Sequence, residues 1–252
     1  MIRAALRWAT AALLFGMTAS MAAQPPRLLN IDERVDGKLV SDYPALWWQW
    51  ANRERRGTRP FQDPSGAQCM LNQSGPVWFL AGTDGTDSVT RQCTVPLGKY
   101  LFLPVITMIG NSLPGKAKTC AEAKAFAAAN NDHLARAEVE IDGKRVEGIA
   151  ALRIASRECF DAYPVAPYLT NPRSYYPAAT DGYWLMLAPL SAGAHTIKVE
   201  ARYDNPGGEL GDLEQEFEYE LRVAPEDEPK QAAPKAFEGL IVGQRVPVPE
   251  LT

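Results

Sequence analysis

Among the residues that could do chemistry, this chain has four cysteines, two histidines and 30 Asp or Glu against 26 Lys or Arg. The cysteines are Cys69, Cys93, Cys120 and Cys159. No pair has the C-x-x-C spacing of a zinc site, and two histidines supply few other ligands, so no metal or other cofactor is expected. An even count in an oxidising compartment reads instead as two disulfides. Of the three pairings, sequence neighbours are expected to join, Cys69 with Cys93 and Cys120 with Cys159. Each bond would close a loop of tens of residues, worth about 3–4 kcal/mol in the chain-entropy view.

Acid–base chemistry has fewer openings. The sequence contains no G-x-S-x-G, H-E-x-x-H, G-x-x-x-x-G-K-[ST] or G-x-G-x-x-G motif. His133 follows a helix end. His195 begins a strand after a turn, and as a general base it would need a nucleophile beside it. Polysaccharide hydrolysis needs two carboxylates roughly 5–10 Å apart in a cleft. Asp63, Asp84, Asp87 and Asp181 all lie in or beside turns, where Asp commonly serves the backbone. Asp63 and Asp181 are the best pair on offer. The oxygen-rich stretch 82–88 lacks the ligand order and distal Glu of an EF-hand loop and reads as a turn.

Recognition chemistry is better represented. Residues 52–61 carry Arg53, Arg55, Arg56 and Arg59 against Glu54, the one local concentration of positive charge. It suits either an anion clamp or a solvated helix end facing the dipole. Trp48 and the tyrosines Tyr163, Tyr168, Tyr175 and Tyr176 offer large rings with a polar tip, a composition favoured at binding surfaces. Trp78 and Trp184 sit inside apolar runs and read as core. The expected ligand-binding set is therefore Trp48, Arg53, Arg56, Asp63, Tyr175, Tyr176 and Asp181.

The elements that must position these groups are mainly strands. Residues 77–81 and 100–106 are short apolar runs rich in aromatic and β-branched residues, bounded by Gly and Pro, as buried strands are. Residues 135–141 and 144–148 alternate around Asp142-Gly143, a hairpin signal. Residues 183–187 and 195–203 read as a second hairpin, and 216–223 as a last strand with one wet face. Two helices interrupt them. In residues 42–55, Trp47 and Trp50 lie about 60° apart on one face, and Trp48 about 160° from Trp50. Trp48 must then meet a second surface or line a groove. Thr119 with Glu122 forms a capping box for the other helix. Residues 158–182, with four prolines and four tyrosines, form a long irregular loop of the kind that often carries function.

The N-terminus has Arg3 and Arg7, an apolar run over 9–17 too short for a bilayer, and small residues before a cleavage point, which together read as a signal peptide over residues 1–22. The domain then runs from 23 to 224, followed by a Pro/Glu/Lys-rich tail over 225–252. Removing two Arg leaves 24 Lys+Arg against 30 Asp+Glu, a charge of −6. That balance argues against nucleic acid and an anionic membrane surface, and no later run is long enough to insert into a bilayer.

The stretch D-G-Y-W-L-M-L-A-P-L-S-A-G-A-H-T-I-K-V-E-A resembles the paired last strands of bacterial immunoglobulin-like domains. The wider pattern W-W-x-W, G-P-V-W-F-L-A-G, R-x-C-x-V-P-x-G-K is similar to a set of exported bacterial proteins of uncharacterised function. The resemblance spans residues 41 to about 223 and implies no reaction, cofactor or catalytic residue. The expectation is an antiparallel β-sandwich, Ig-like or jelly-roll-like, with two helical insertions, in a secreted or periplasmic protein. Its expected role is non-catalytic: binding a ligand the sequence does not name, with a glycan or envelope component as the candidate partner, or a structural association with the envelope. The alternative is a hydrolase of such a polymer using paired carboxylates.

Overall fold

The computed structural model describes residues 26–85, 88–208 and 210–226. The expected leader, Asp87 and the expected tail beyond 226 lie outside the described residues. In chain order the elements are β1 (Arg34–Val35), β2 (Lys38–Leu39), α1 (Tyr43–Ala51), β3 (Val77–Phe79), β4 (Val89–Pro96), β5 (Tyr100–Asn111), α2 (Cys120–Ala128), β6 (Leu134–Ile141), β7 (Lys144–Arg145), β8 (Arg153–Ala155), β9 (Ala178–Leu187), β10 (Gly193–Tyr203) and β11 (Leu213–Ala224). The chain is mainly β, with two α-helices. No helix among the described residues is long and apolar enough to cross a membrane.

Two sheets share one core. A four-stranded sheet runs β3-β5-β9-β8, and a five-stranded sheet runs β4-β11-β10-β6-β7. Leu101, Leu103, Leu185 and Leu187 from the first meet Val139, Ile197, Val199 and Phe217 from the second. The sequence pattern explains which strand goes where. β10 and β11 alternate buried and exposed residues, so their sheet keeps one wet face. Every residue of β9 is buried, because α1, and at Ala178 the loop before the strand, cover the other face of its sheet. Trp47, Trp50 and Tyr43 pack there against Phe102, Trp184 and Met186. The Phe102 and Trp184 rings stack at 5.3 Å, and Trp47 meets Trp184 edge-on at 5.5 Å. Trp78 and Trp184 are core residues, 5% and 1% exposed.

Three expectations are corrected. The pairing is not wholly antiparallel: β3 pairs β5 in parallel, and β4 pairs β11 in parallel. The cause is that the chain leaves the first sheet after β3, runs β4 along the edge of the second, and then returns to the first as β5. Residues 183–187 and 195–203 are not a hairpin. β9 pairs with β5 and β8, β10 with β11 and β6, and the turn between them crosses from one layer to the other. A strand buried on both faces needs the middle of the inner sheet, which a one-sided partner cannot supply. Finally, α1 stops at Ala51 rather than running to 55. The Tyr168 hydroxyl donates to the Asn52 carbonyl at 2.7 Å, a tertiary partner in place of another helical turn.

Other local readings hold. Thr119 and Glu122 cap α2 reciprocally: the Thr119 N–H donates to the Glu122 carboxylate, and the Glu122 N–H to Oγ1 of Thr119. These bonds hold the Glu122 carboxyl below the usual carboxylate range. Asp142 (φ 52°) and Gly143 (φ 71°) make the tight turn between β6 and β7. α2 lies so close to β5 that a Cβ on Gly110 would sit 2.1 Å from the Ala123 carbonyl oxygen. Cys69 is bonded to Cys93, and Cys120 to Cys159.

Arg91 of β4 is 1% exposed. Its Nε donates to the Asp63 carbonyl at 2.6 Å, and one terminal nitrogen to the Ala81 carbonyl at 3.0 Å and the Tyr219 hydroxyl at 3.3 Å. The other reaches the Phe61 carbonyl at 3.5 Å. Among the described residues no carboxylate forms an ion pair with it. One guanidinium thus joins the loop after α1, the chain beyond β3, β4 and β11. Replacing Arg91 with Met should strand at least two buried carbonyls and lower unfolding stability by about 2–4 kcal/mol. Urea denaturation measures this. Arg91→Lys should recover only part of the loss, because an ammonium lacks the forked geometry.

Candidate functional site

The two acids expected to face each other are each occupied. Asp63 is 7% exposed. Its Oδ1 accepts from the Ser65 N–H and hydroxyl, and its Oδ2 from the Gln68 N–H at 2.8 Å. That is an Asx-type turn holding the loop that Arg91 grips through the Asp63 carbonyl. Asp181 is 4% exposed and takes a forked pair from Arg153, Nε to Oδ1 at 3.0 Å and a terminal nitrogen to Oδ2 at 2.9 Å. Arg153 also bonds Asp132 at 2.7 Å. The two carboxylates raise the Arg153 pKa, and Arg153 holds the Asp132 carboxyl below the ordinary range. Neither Asp63 nor Asp181 contacts the other among the bonds and ion pairs of the described residues.

His195 does have a hydroxyl neighbour. Its Nε2 lies 3.4 Å from Ser191 Oγ, and its Nδ1 lies 2.8 Å from Asp142 Oδ2. The order matches a Ser-His-Asp relay, but Nε2 is closer still to the Ser191 carbonyl, at 3.0 Å. The Ser191 hydroxyl is therefore the more distant of the two oxygens at Nε2. Asp142 also accepts from the Thr196 N–H at 2.9 Å. The group ties the β6–β7 turn to the turn entering β10.

The aromatic and basic residues divide between two places. Trp48 is half-buried; its indole N–H donates to Thr180 Oγ1 at 2.9 Å, and its ring meets Phe61 edge-on at 6.1 Å. It is not among the residues that line the groove described below, because helical geometry turns it away from Trp50. Tyr175 packs on Tyr163 at 4.7 Å, and Arg59 lies over both Phe61 and Tyr163. Burial pushes the Tyr163 phenol up, against the nearby Arg59 charge. Tyr176 is 47% exposed, and Arg56 is exposed on the surface. The loop 158–177 thus packs around its own small core of Ala162, Tyr163 and Ala166.

Arg53 is placed differently. It lines a groove of about 290 Å³ between α1, the β1–β2 hairpin and the segment leading into β3. Tyr43, Trp50 and Phe79 form the floor; Lys38, Gln49, Asn72 and Ser74 are polar lining residues. The floor is rigid because its polar tips are used. The Tyr43 hydroxyl donates to the Val35 carbonyl at 2.8 Å, and the Trp50 indole to the Leu71 carbonyl at 2.8 Å. Burial pushes the Tyr43 phenol up to about 12, so it stays a donor. One wall is pinned by Asn72, which donates to Glu54 at 3.1 Å, and by the Cys69–Cys93 bond. Arg53 itself is half-buried, and its guanidinium has no hydrogen bond or ion pair among the described residues.

Sequence reasoning reached Arg53 and missed the rest of the groove. One signal was readable: Val35-Asp36-Gly37-Lys38 repeats the pattern of Ile141-Asp142-Gly143-Lys144, and Asp36 (φ 49°) with Gly37 (φ 76°) makes the same tight turn. Nothing local marks Asn72 or Ser74.

Comparison adds little. No protein-family model matches the chain, and no curated protein matches it. A solved structure titled "Solution Structure of Amebosin" is 12% identical, covers 60% of this chain and 100% of its own, and has a TM-score of 0.19. A likeness at that level carries no argument about fold or function.

The buried acid yields a test. Arg153→Met should leave Asp181 buried and unpaired and cost about 3–5 kcal/mol. Asp132→Asn, at the exposed side of the same arginine, should stay within about 1 kcal/mol of the parent. Paired chemical denaturation curves would check both, and equal losses would overturn this division.

Proposed function

We propose that this chain is an exported, non-catalytic binding protein on a β-sandwich scaffold of Ig-like or jelly-roll kind. It holds one small unit of a glycan or other envelope component in the groove beside α1. The observation that carries the reading is the groove itself: a preformed floor of Tyr43, Trp50 and Phe79 with an unpaired guanidinium in its lining. About 290 Å³ is at the small end of ligand pockets, room for one or two sugar rings. Preorganisation supports binding, since a floor whose polar tips are already bonded loses little freedom when a ligand arrives. The carboxylates offer no comparable support for hydrolysis, because Asp63 and Asp181 are spent on backbone and arginine. Two disulfides and the leader-like N-terminus favour an oxidising compartment.

The test is a tryptophan-fluorescence titration of the purified chain against glycans, peptidoglycan fragments and envelope extracts. A ligand in the groove should change the Trp50 emission, and Trp50→Phe should remove that change while Trp48→Phe retains it. Gln49→Ala should weaken binding by about three- to tenfold, the worth of one polar contact. Turnover of a polymer, abolished by Asp63→Asn or Asp181→Asn in protein that remains folded, would overturn the reading.

A further inference from the structure

The groove carries a charge that its walls do not balance. Arg53 and Lys38 line it against Asp36 alone, in a chain whose formal charge is −4. Lys38 is exposed and lies 3.6 Å from Asp36, a loose surface pair. Arg53 is half-buried and has no partner at its guanidinium among the described residues. The contrast with the other enclosed arginines is direct. Arg91 is surrounded by carbonyls and a phenol, Arg153 holds two carboxylates, and Arg59 lies on two rings. A cation withdrawn from water without a partner favours an anion that can take its forked N–H groups.

The remaining lining says what body the anion has. Lys38, Gln49, Asn72 and Ser74 offer amide, ammonium and hydroxyl groups, while Asp36 offers an acceptor. Gln49 and Asn72 each use one N–H elsewhere, on the Asp161 carbonyl and on Glu54. Their carbonyl oxygens accept no hydrogen bond among the described residues, and so leave acceptor capacity for a ligand that donates, as hydroxyl groups do. Trp50 and Tyr43 are 4% and 3% exposed, so they present little apolar surface to a ligand. A fatty acid would want the reverse.

We infer that the groove selects an acidic saccharide unit, of the hexuronate class, with its carboxylate on the Arg53 guanidinium and its hydroxyls on the polar lining. This inference rests on the groove being the binding site, and it adds the charge and the chemical class.

Two matched pairs separate the two claims: cellobiouronic acid with cellobiose, and digalacturonate with galactobiose. Within each pair the ligands differ only in carboxylate against hydroxymethyl. Calorimetric titration of the full chain should show at least one acid bound about tenfold or more tighter than its neutral partner, the worth of a forked charged pair. The preference should shrink as salt rises. Arg53→Gln should level the two members of the pair, and Arg53→Lys should retain part of the preference, since its charge persists without the fork. Near-UV circular dichroism of each variant confirms folding. Equal binding of acid and neutral member overturns the acidic class while leaving the groove intact. A preference that survives Arg53→Gln overturns the assignment to Arg53. Binding of octanoate in place of any sugar, or binding of no sugar at all, overturns the saccharide class.

Discussion

Arg91 must find oxygen for its N–H groups in a place that water does not reach. A buried cation without a carboxylate is costly unless hydrogen bonds replace its hydration. Here three backbone carbonyls and the Tyr219 phenol do so. The arrangement leaves little freedom. Tyr219 both accepts from the Ala81 N–H and donates to the Ala81 carbonyl, and burial keeps that phenol protonated by pushing its pKa up. The chain beyond β3 is thereby fastened to β11 across the two layers. The loop after α1 is fastened to β4 by the Asp63 carbonyl, by the Gln92 N–H on the Ser65 carbonyl, and by the Cys69–Cys93 bond.

This fastening decides what α1 can offer. Residues 52–76 have almost no regular structure, yet they form a wall of the groove. They hold their place because each end is tied to something rigid: Asp63 and Cys69 to the edge strand of one sheet, Leu71 and Asn72 to the end of the helix. Polar groups that look chemical in isolation are consumed by such ties. Asp63 shapes a turn, Asp181 neutralises Arg153, and His195 bridges two turns. Arg53 is left over, and its surplus of donors gives the groove its character.

Periodicity made much of the scaffold legible. Alternation in 195–203 and 216–223 marked strands with one wet face, and the unbroken apolar runs at 77–81 and 100–106 marked buried ones. The capping pair Thr119 and Glu122 located α2, and the even cysteine count suggested the two bonds that are present. Reading β9 and β10 as a hairpin failed for a specific reason. Two adjacent strands joined by a short turn look the same in sequence whether they pair or cross between layers. The difference lies in what covers β9 on its second face, and that cover is α1, more than a hundred residues earlier.

The chain alone therefore determined its local grammar: which segments extend, which coil, which turns need Asp-Gly, and which thiols were available to pair. Those properties depend on a residue and its near neighbours. Tertiary structure decided the sheet order, the parallel edges, the partners of each buried charge, and the identity of the ring that floors the groove. Trp48 and Trp50 sit two residues apart on one helix, and only the surfaces that meet them made one a packing residue against Phe61 and Thr180 and the other part of a groove lining. Distance along the chain carries no information about such meetings, because they follow from which distant surfaces must be kept dry.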